Sequence, residues 1–212
     1  MLPGTPQKAD RGKERQMSIT LNGITKRFGG KTVLDDLTAT LPGGVICLSG
    51  ASGCGKTTLA MIIAGLLKPD SGNIGGISGN VTVMFQEPRL FPAFSALENV
   101  ACAAKGGSGE AEAEKLLLSL GLTADDIKKK PCELSGGMNQ RVSLARAVLF
   151  HENSGGNTVI LDEPFKGLDP ASKNIAAELV SSRLTPENLL VITHDGSDAD
   201  LLHGTRINFP DL

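Results

Sequence analysis

Apolar residues recur along this chain in two different periods. Ile19 and Leu21, then Val33, Leu34, Leu37 and Leu41, alternate with polar neighbours and predict short strands broken at Asn22-Gly23 and Gly29-Gly30. Val45-Ile46-Cys47-Leu48-Ser49 is a short unbroken run stopped by Gly50, the pattern of a strand buried on both faces. A helix is predicted over 56–67, closed by Lys68-Pro69. Val81–Phe85 reads as another strand. Ala111–Leu120 has the Ala/Glu/Leu chemistry of a helix with Gly121 as its stop, and Arg141–Phe150 reads as a further helix. Thr158–Leu161 and Leu189–Thr193 are two more apolar strands, each running into polar residues. Strands alternating with helices predict a mostly parallel α/β sheet. Ligands of such sheets bind beyond the carboxyl ends of the strands. The polar residues that follow Ser49, Phe85, Leu161 and Thr193 are therefore expected to converge.

Composition narrows the function classes. The 212 residues suit one compact domain with small appendages, and residues 1–17, with two prolines, two glycines and six charges, read as a flexible tail. A net charge of −2 argues against a bulk electrostatic grip on nucleic acid, and seven Phe without Trp or Tyr argue against a base-stacking platform. The longest nearly apolar run, Leu59–Leu67, is far shorter than the roughly 20 residues of a spanning helix. Membrane association is then expected only through a partner. Cys47, Cys54, Cys102 and Cys132 lack the close spacing of a zinc or redox motif, and the N-terminus shows no apolar signal segment. A cytosolic, reducing compartment is expected.

Gly50-Ala51-Ser52-Gly53-Cys54-Gly55-Lys56-Thr57 fits the phosphate-binding loop G-x-x-x-x-G-K-[ST]. Its glycines let the backbone curl so that successive N–H groups face phosphate oxygens, and the following helix adds its positive end. Lys56 is expected on the β- and γ-phosphates of ATP and Thr57 on Mg²⁺. Cys54 reads as a tolerated small residue. The strand Thr158–Leu161 delivers two carboxylates, of which Asp162 can hold Mg²⁺ and Glu163 can polarise a water aimed at the γ-phosphate. Leu134-Ser135-Gly136-Gly137-Met138-Asn139-Gln140-Arg141 offers a hydroxyl and free N–H groups at a helix start.

At this point the chain resembles the ATP-binding-cassette (ABC) ATPases. Leu134–Arg141 looks like their signature motif, lying between a phosphate loop and a carboxylate strand in the family's order, and the resemblance runs from about Ser18 to Phe209. It implies an α/β P-loop NTPase core with an N-terminal antiparallel β subdomain and a helical insert over about 88–138. It also implies that Gln86 is the Q-loop glutamine, touching Mg²⁺ and the attacking water. Lys166-Gly167-Leu168-Asp169 resembles the D-loop at a dimer interface. His194 resembles the switch histidine on the γ-phosphate, and Phe28, 22 residues before Gly50, resembles the aromatic that stacks on adenine. Two copies are then expected to pair head to tail. Each ATP would be held between Gly50–Thr58 of one copy, Thr58 included, and Ser135, Gly136 and Gly137 of the other.

Departures from the family pattern are few. Lys56 to Gln86 spans only 30 residues, so a trimmed hairpin is expected around Gly72–Gly79. Phe28 replaces a commoner Tyr, Met138 stands where many members carry Gln, and no regulatory domain is expected after His194. Phe85–Pro92, Leu97–Val100 and Asp162–Phe165 look like nitrate/sulfonate/taurine-type importer ATPases. That implies transmembrane permease partners, a solute-binding protein and a peripheral place at the inner face of the membrane. The alternative is a soluble ABC ATPase acting on a protein assembly or nucleic acid, or an exporter subunit. Leu90, Phe91 and Phe94 follow Gln86 outside any periodic helix. They either plug the insert onto the core or line a groove for a permease helix.

Overall fold

The computed structural model describes residues 18–106 and 109–209, and the tail expected over residues 1–17 lies outside them. In chain order the first elements are β1 (Ile19–Phe28), β2 (Lys31–Leu41), β3 (Gly44–Ser49), α1 (Lys56–Ile63), β4 (Ser71–Gly75) and β5 (Val81–Met84). The helices α2 (Ala96–Ala101), α3 (Gly109–Ser119) and α4 (Gly136–Ser154) follow, with two short 3-10 turns before α4. The chain continues through β6 (Thr158–Asp162), α5 (Pro170–Arg183), β7 (Asn188–Ile192), α6 (Ser197–Leu201) and β8 (Thr205–Asn208).

The strands form two sheets, an antiparallel one in the order β2-β1-β4 and a parallel one in the order β5-β6-β7-β3-β8. The apolar runs of the parallel strands serve two cores, because successive side chains point to opposite faces. Val159 and Leu161 meet the helices α2, α3, α4 and α5 on one face. Ile160 meets Leu59, Ile62 and Ile63 of α1, together with Ile19 and Leu21 of β1, on the other. Helices α2–α5 on one face, and α1 with the antiparallel layer on the other, leave the carboxyl edge of the parallel sheet open. Among the described residues, no helix is long and apolar enough to cross a membrane.

Several boundaries differ from the expected ones, each for a local physical reason. Asn22-Gly23 does not break a strand. β1 runs through it, and the pairing shifts register between Leu21 and Ile24, with Gly23 at φ 61° and Asp36 opposite at φ 47°. The extra residue is absorbed as a bulge. Gly29-Gly30 does form the turn, at φ 53° and 83°. No hairpin forms over 72–79. β4 lies on β1 as a single strand, so close that a Cβ on Gly72 would stand 2.4 Å from the Gly23 carbonyl oxygen.

α1 stops at Ile63 rather than Leu67, because Gly65 turns left-handed (φ 70°) and the N–H groups of Leu66 and Leu67 both return to the Met61 carbonyl. α4 starts five residues before the expected Arg141, because Ser135 caps it through Oγ, accepting from the Met138 N–H at 3.2 Å. β8, a mostly polar edge strand, and the helices α2, α5 and α6 had no apolar period clear enough to predict them.

Candidate active site

The loop between β3 and α1 is shaped by what its glycines touch. A Cβ on Gly50 would lie 2.3 Å from the Phe209 carbonyl oxygen, and one on Gly55 3.0 Å from Leu34 Cδ2. Gly53 and Gly55 have φ 75° and 112°, in the left-handed region that glycine tolerates. The loop is therefore wedged between the end of β8 and β2, and only glycine fits. Lys56, the first residue of α1, is 5% exposed. Its Nζ donates to the carbonyls of Gly50 and Ala51 at 2.8 and 2.9 Å and lies 3.7 Å from Cys54 Sγ. The ammonium thus stands at the mouth of the loop. Among the described residues no side chain caps the start of α1, which leaves its first N–H groups without a side-chain acceptor.

Two carboxylates arrive from β6. Asp162 is buried, and the Thr57 hydroxyl donates to its Oδ2 at 3.0 Å. Burial pushes the Asp162 carboxyl above the ordinary range, against the pull of the Thr57 hydrogen bond and the Lys56 charge. Glu163 leaves the strand in a left-handed conformation (φ 52°). Its N–H donates to the Ile192 carbonyl at 2.8 Å, and its own carbonyl accepts from Gln140 Nε2 at 2.7 Å. A backbone held on both sides in this way turns the side chain off the strand and into the cleft. Glu163 Oε1 is buried without a hydrogen-bond partner among the described residues, 3.3 Å from His194 Nε2. Burial raises the Glu163 pKa, and the nearby His194 opposes that rise.

Gln86 follows β5 and His194 follows β7, so four loops at one sheet edge enclose a cleft of about 270 Å³. Ser52, Gly53, Gly55, Lys56, Thr57, Thr58, Gln86, Asp162, Glu163 and His194 line it, with Val33 and Ile192 as its apolar wall. The convergence expected from the alternating pattern is present. Glycine-shaped backbone, one buried lysine and an uncapped helix start fit a chain of phosphates. The Thr57 hydroxyl and Asp162 carboxylate, with Gln86 beside them, supply the oxygen ligands that suit Mg²⁺.

Other expected residues stand elsewhere. Gly50, Ala51 and Cys54 build the loop without lining the cleft. Phe28 sits at the tip of the β1–β2 hairpin, half exposed, with Lys26 Nζ 5.5 Å from its ring centroid. Gly136 and Gly137 line a second depression, which shares Gln86 with the cleft and also contains Lys166, Gly167 and Gln140. Ser135 is exposed next to it. Asp169 caps α5, accepting from the N–H groups of Ala171 and Ser172 at 3.0 Å each. The Ser172 hydroxyl and N–H hold its carboxyl below the ordinary range.

Gln140 and Lys166 stand in the signature and D-loop stretches, but no role of their own was expected for them. Gln140 stands one turn after Gly136 on α4, a relation hidden when the helix is started at Arg141. Of the cysteines, Cys47 is buried, and burial pushes its thiol up to about 11, while Cys102 and Cys132 are exposed as free thiols.

The segment after Gln86 divides its apolar side chains. Leu90 packs against the helical core, whereas Phe91 and Phe94 are 50% and 40% exposed, their ring centroids 5.4 Å apart. Phe91 borders an apolar groove of about 470 Å³ whose walls include Leu66, Phe85, Arg146 and Phe150. Arg146 of α4 holds this segment by donating to the carbonyls of Pro88 and Arg89 at 2.8 and 3.1 Å.

The family model "ABC transporter" matches residues 34–166. The chain is 40% identical over 197 residues to the aliphatic sulfonates import ATP-binding protein SsuB of Rhodopseudomonas palustris (strain BisA53), covering 87% of this chain and 68% of the relative. It is 39% identical over 190 residues to the SsuB protein of Corynebacterium glutamicum, covering 86% and 76% respectively. The fold is similar to that of the ATP-binding cassette MJ0796, solved as a dimer in a post-hydrolysis state bound to ADP and Pi. The TM-score is 0.73 and the identity 25%, over 86% of this chain and 90% of that one. With a family match over more than half its length and a cleft built for phosphates, this chain belongs to the ABC transporter family as one of its ATP-hydrolysing subunits.

Proposed function

We propose that this chain energises a membrane importer of a small organic anion of the sulfonate class, from the inner, cytoplasmic face of the membrane. Each ATP is shared between two copies paired head to tail. The observation that carries the shared site is the separation of its parts. Lys56, Thr57, Gln86, Asp162, Glu163 and His194 line one cleft, while Gly136 and Gly137 face a different depression of the same chain. A second copy supplies Ser135, Gly136 and Gly137 to the far side of the phosphates, and neither half-site alone surrounds them. Relatives named as sulfonate importers support the solute class.

Within that reading Lys56 and the loop N–H groups grip the β- and γ-phosphates, and Phe28 offers its exposed face to adenine. Thr57, Asp162 and Gln86 would hold Mg²⁺, which when bound would supply positive charge to offset that of the phosphate oxygens. Glu163, with a raised pKa and a buried oxygen that accepts no hydrogen bond among the described residues, accepts the proton of the attacking water, and His194 contacts the γ-phosphate. Asp169 shapes the dimer interface by fixing the start of α5. ATP binding closes the pair and hydrolysis releases it, a ligand-driven two-state switch. Closure reaches the permease through Gln86 and the segment that follows it, with Phe91 at the docking groove and Phe94 beside it. The test is reconstitution with the permeases and solute-binding protein from neighbouring reading frames. ATP-dependent uptake of an alkanesulfonate supports the proposal, and ATP turnover without uptake by any permease pair overturns the import reading.

A further inference from the structure

His194 is half exposed, so its own packing does little to hold its place, and the fastenings of its loop fall on its neighbours. The Thr193 N–H donates to the Leu48 carbonyl at 3.2 Å, and the Thr193 hydroxyl donates to the Asp198 carboxylate. The Asp195 N–H donates back to Thr193 Oγ1 at 3.0 Å, and Asp195 Oδ1 accepts from the Ser197 N–H at 2.9 Å.

Both carboxylates end on one cation. Lys173 Nζ lies 2.5 Å from Asp195 Oδ2, 2.6 Å from Asp198 Oδ1 and 2.9 Å from Ser197 Oγ. The lysine side chain is 15% exposed and that of Asp198 4%. Lys173 belongs to α5, one turn beyond the capping residue Asp169, whose carbonyl accepts its N–H at 2.8 Å.

From this geometry we infer that Lys173 is a positioning residue for His194. Its ammonium ties together the two carboxylates that fasten the loop on either side of the histidine. It thereby fixes the imidazole beside Glu163 and couples it to the start of α5. Without the ammonium, Asp195 and Asp198 are two like charges on one short loop, one of them deeply buried. The loop then opens, and His194 leaves its place 3.3 Å from Glu163. The inference rests on the proposed contact between His194 and the γ-phosphate.

The test compares Lys173→Met, Lys173→Arg, Asp195→Asn and His194→Ala by Mg-ATP turnover, labelled-nucleotide affinity and amide hydrogen exchange. Lys173→Met is expected to lower kcat about tenfold with nucleotide affinity within about twofold of wild type. Lys173→Arg restores most of that loss. Exchange rises across 193–199 and stays unchanged in α1. Asp195→Asn, which removes only the exposed half of the clamp, gives the same pattern at smaller size and serves if Lys173→Met does not fold. Added to His194→Ala, Lys173→Met costs no more than about twofold. A slow His194→Ala beside a Lys173→Met of normal kcat, or unchanged exchange across 193–199, overturns the inference alone. Full turnover in His194→Ala overturns the site reading on which it rests.

Discussion

The Thr57 hydroxyl donates to Asp162 Oδ2 at 3.0 Å, so one hydrogen bond joins the first turn of α1 to the end of β6. It places an oxygen pair in the cleft and opposes the rise that burial imposes on the Asp162 pKa. A site assembled from buried charge costs stability, and the cost has a sign that can be measured.

For both Asp162 and Glu163, burial raises the folded-state pKa above the ordinary carboxylate value. In the window between those values the native state binds more protons than the unfolded one, so this contribution to stability falls as pH rises through it. Asp162→Asn, which keeps an acceptor for Thr57, is expected to raise Tm by a few degrees at pH 7. The gain should shrink below about pH 4, where both states are protonated. Calorimetry across that range decides it, and no gain at pH 7 refutes the account.

Lys56→Ala removes a side-chain cation that lines the cleft and faces the loop carbonyls. Loss of a charge-assisted contact to phosphate is worth about 3 kcal/mol, so ATP affinity should fall by about two orders of magnitude. Equilibrium binding of labelled ATP reads this. Wild-type affinity would remove the phosphate loop from the mechanism.

Glu163→Gln preserves shape and the backbone bonds to Ile192 and Gln140 while removing the carboxylate. Turnover should fall about a hundredfold or more with ATP binding retained, and trapped ATP should shift the protein from monomer to dimer on a sizing column. In the wild-type enzyme, turnover should decline as pH falls through the raised Glu163 pKa, since the base must be ionised. A variant that turns over normally and stays monomeric with saturating Mg-ATP contradicts both roles.

Gly50→Ala places a methyl 2.3 Å from the Phe209 carbonyl oxygen, which is backbone and cannot swing away. The end of β8 must shift, at a cost of about 2 kcal/mol or more. Gly136→Ala, whose Cβ meets nothing within 4 Å, should leave Tm nearly unchanged. Thermal melts of the two side by side give the comparison, and equal Tm values would show that β8 does not clamp the loop.

Phe91→Asp puts charge on a half-exposed ring that lines the groove, and Phe94→Asp on the ring 5.4 Å beside it, both outside the cleft. Co-sedimentation with permease-containing membranes should weaken about tenfold or more, with ATP affinity within about twofold. Undiminished co-sedimentation of both folded variants would place the docking surface elsewhere.

The parallel core was legible because its strands are buried on both faces and must be apolar at nearly every position, as Val159-Ile160-Leu161 is. The phosphate loop was legible because its chemistry is local. Backbone N–H groups, a lysine and a hydroxyl must follow one another directly, and the glycines between them are visible as letters. Asp162 and Glu163 were legible as carboxylates at a strand end, whereas Gln86 and His194, also next to strand ends, took their roles from the family resemblance; the cleft contains all four.

What the chain does between distant segments could not be read from its periods. Asn22-Gly23 has the letters of a turn, yet the neighbours β2 and β4 hold it in a continuous strand as a bulge. β8 is polar on its face, and what defines it is its pairing with β3. Ser135, Gly136 and Gly137 belong to the signature stretch expected at the same ATP, but the two glycines line a separate depression and Ser135 is exposed beside it. Lys173 reaches Asp195 across 22 residues of sequence, and no pattern along α5 distinguishes that lysine from a solvated one. Local chemistry and burial on both faces are written residue by residue, so the amino-acid sequence determined the parallel strands, the phosphate loop and the strand-end carboxylates. Register, edge pairing and the clamp on His194 are contacts between segments that meet only after the sheet has formed, so tertiary structure decided them.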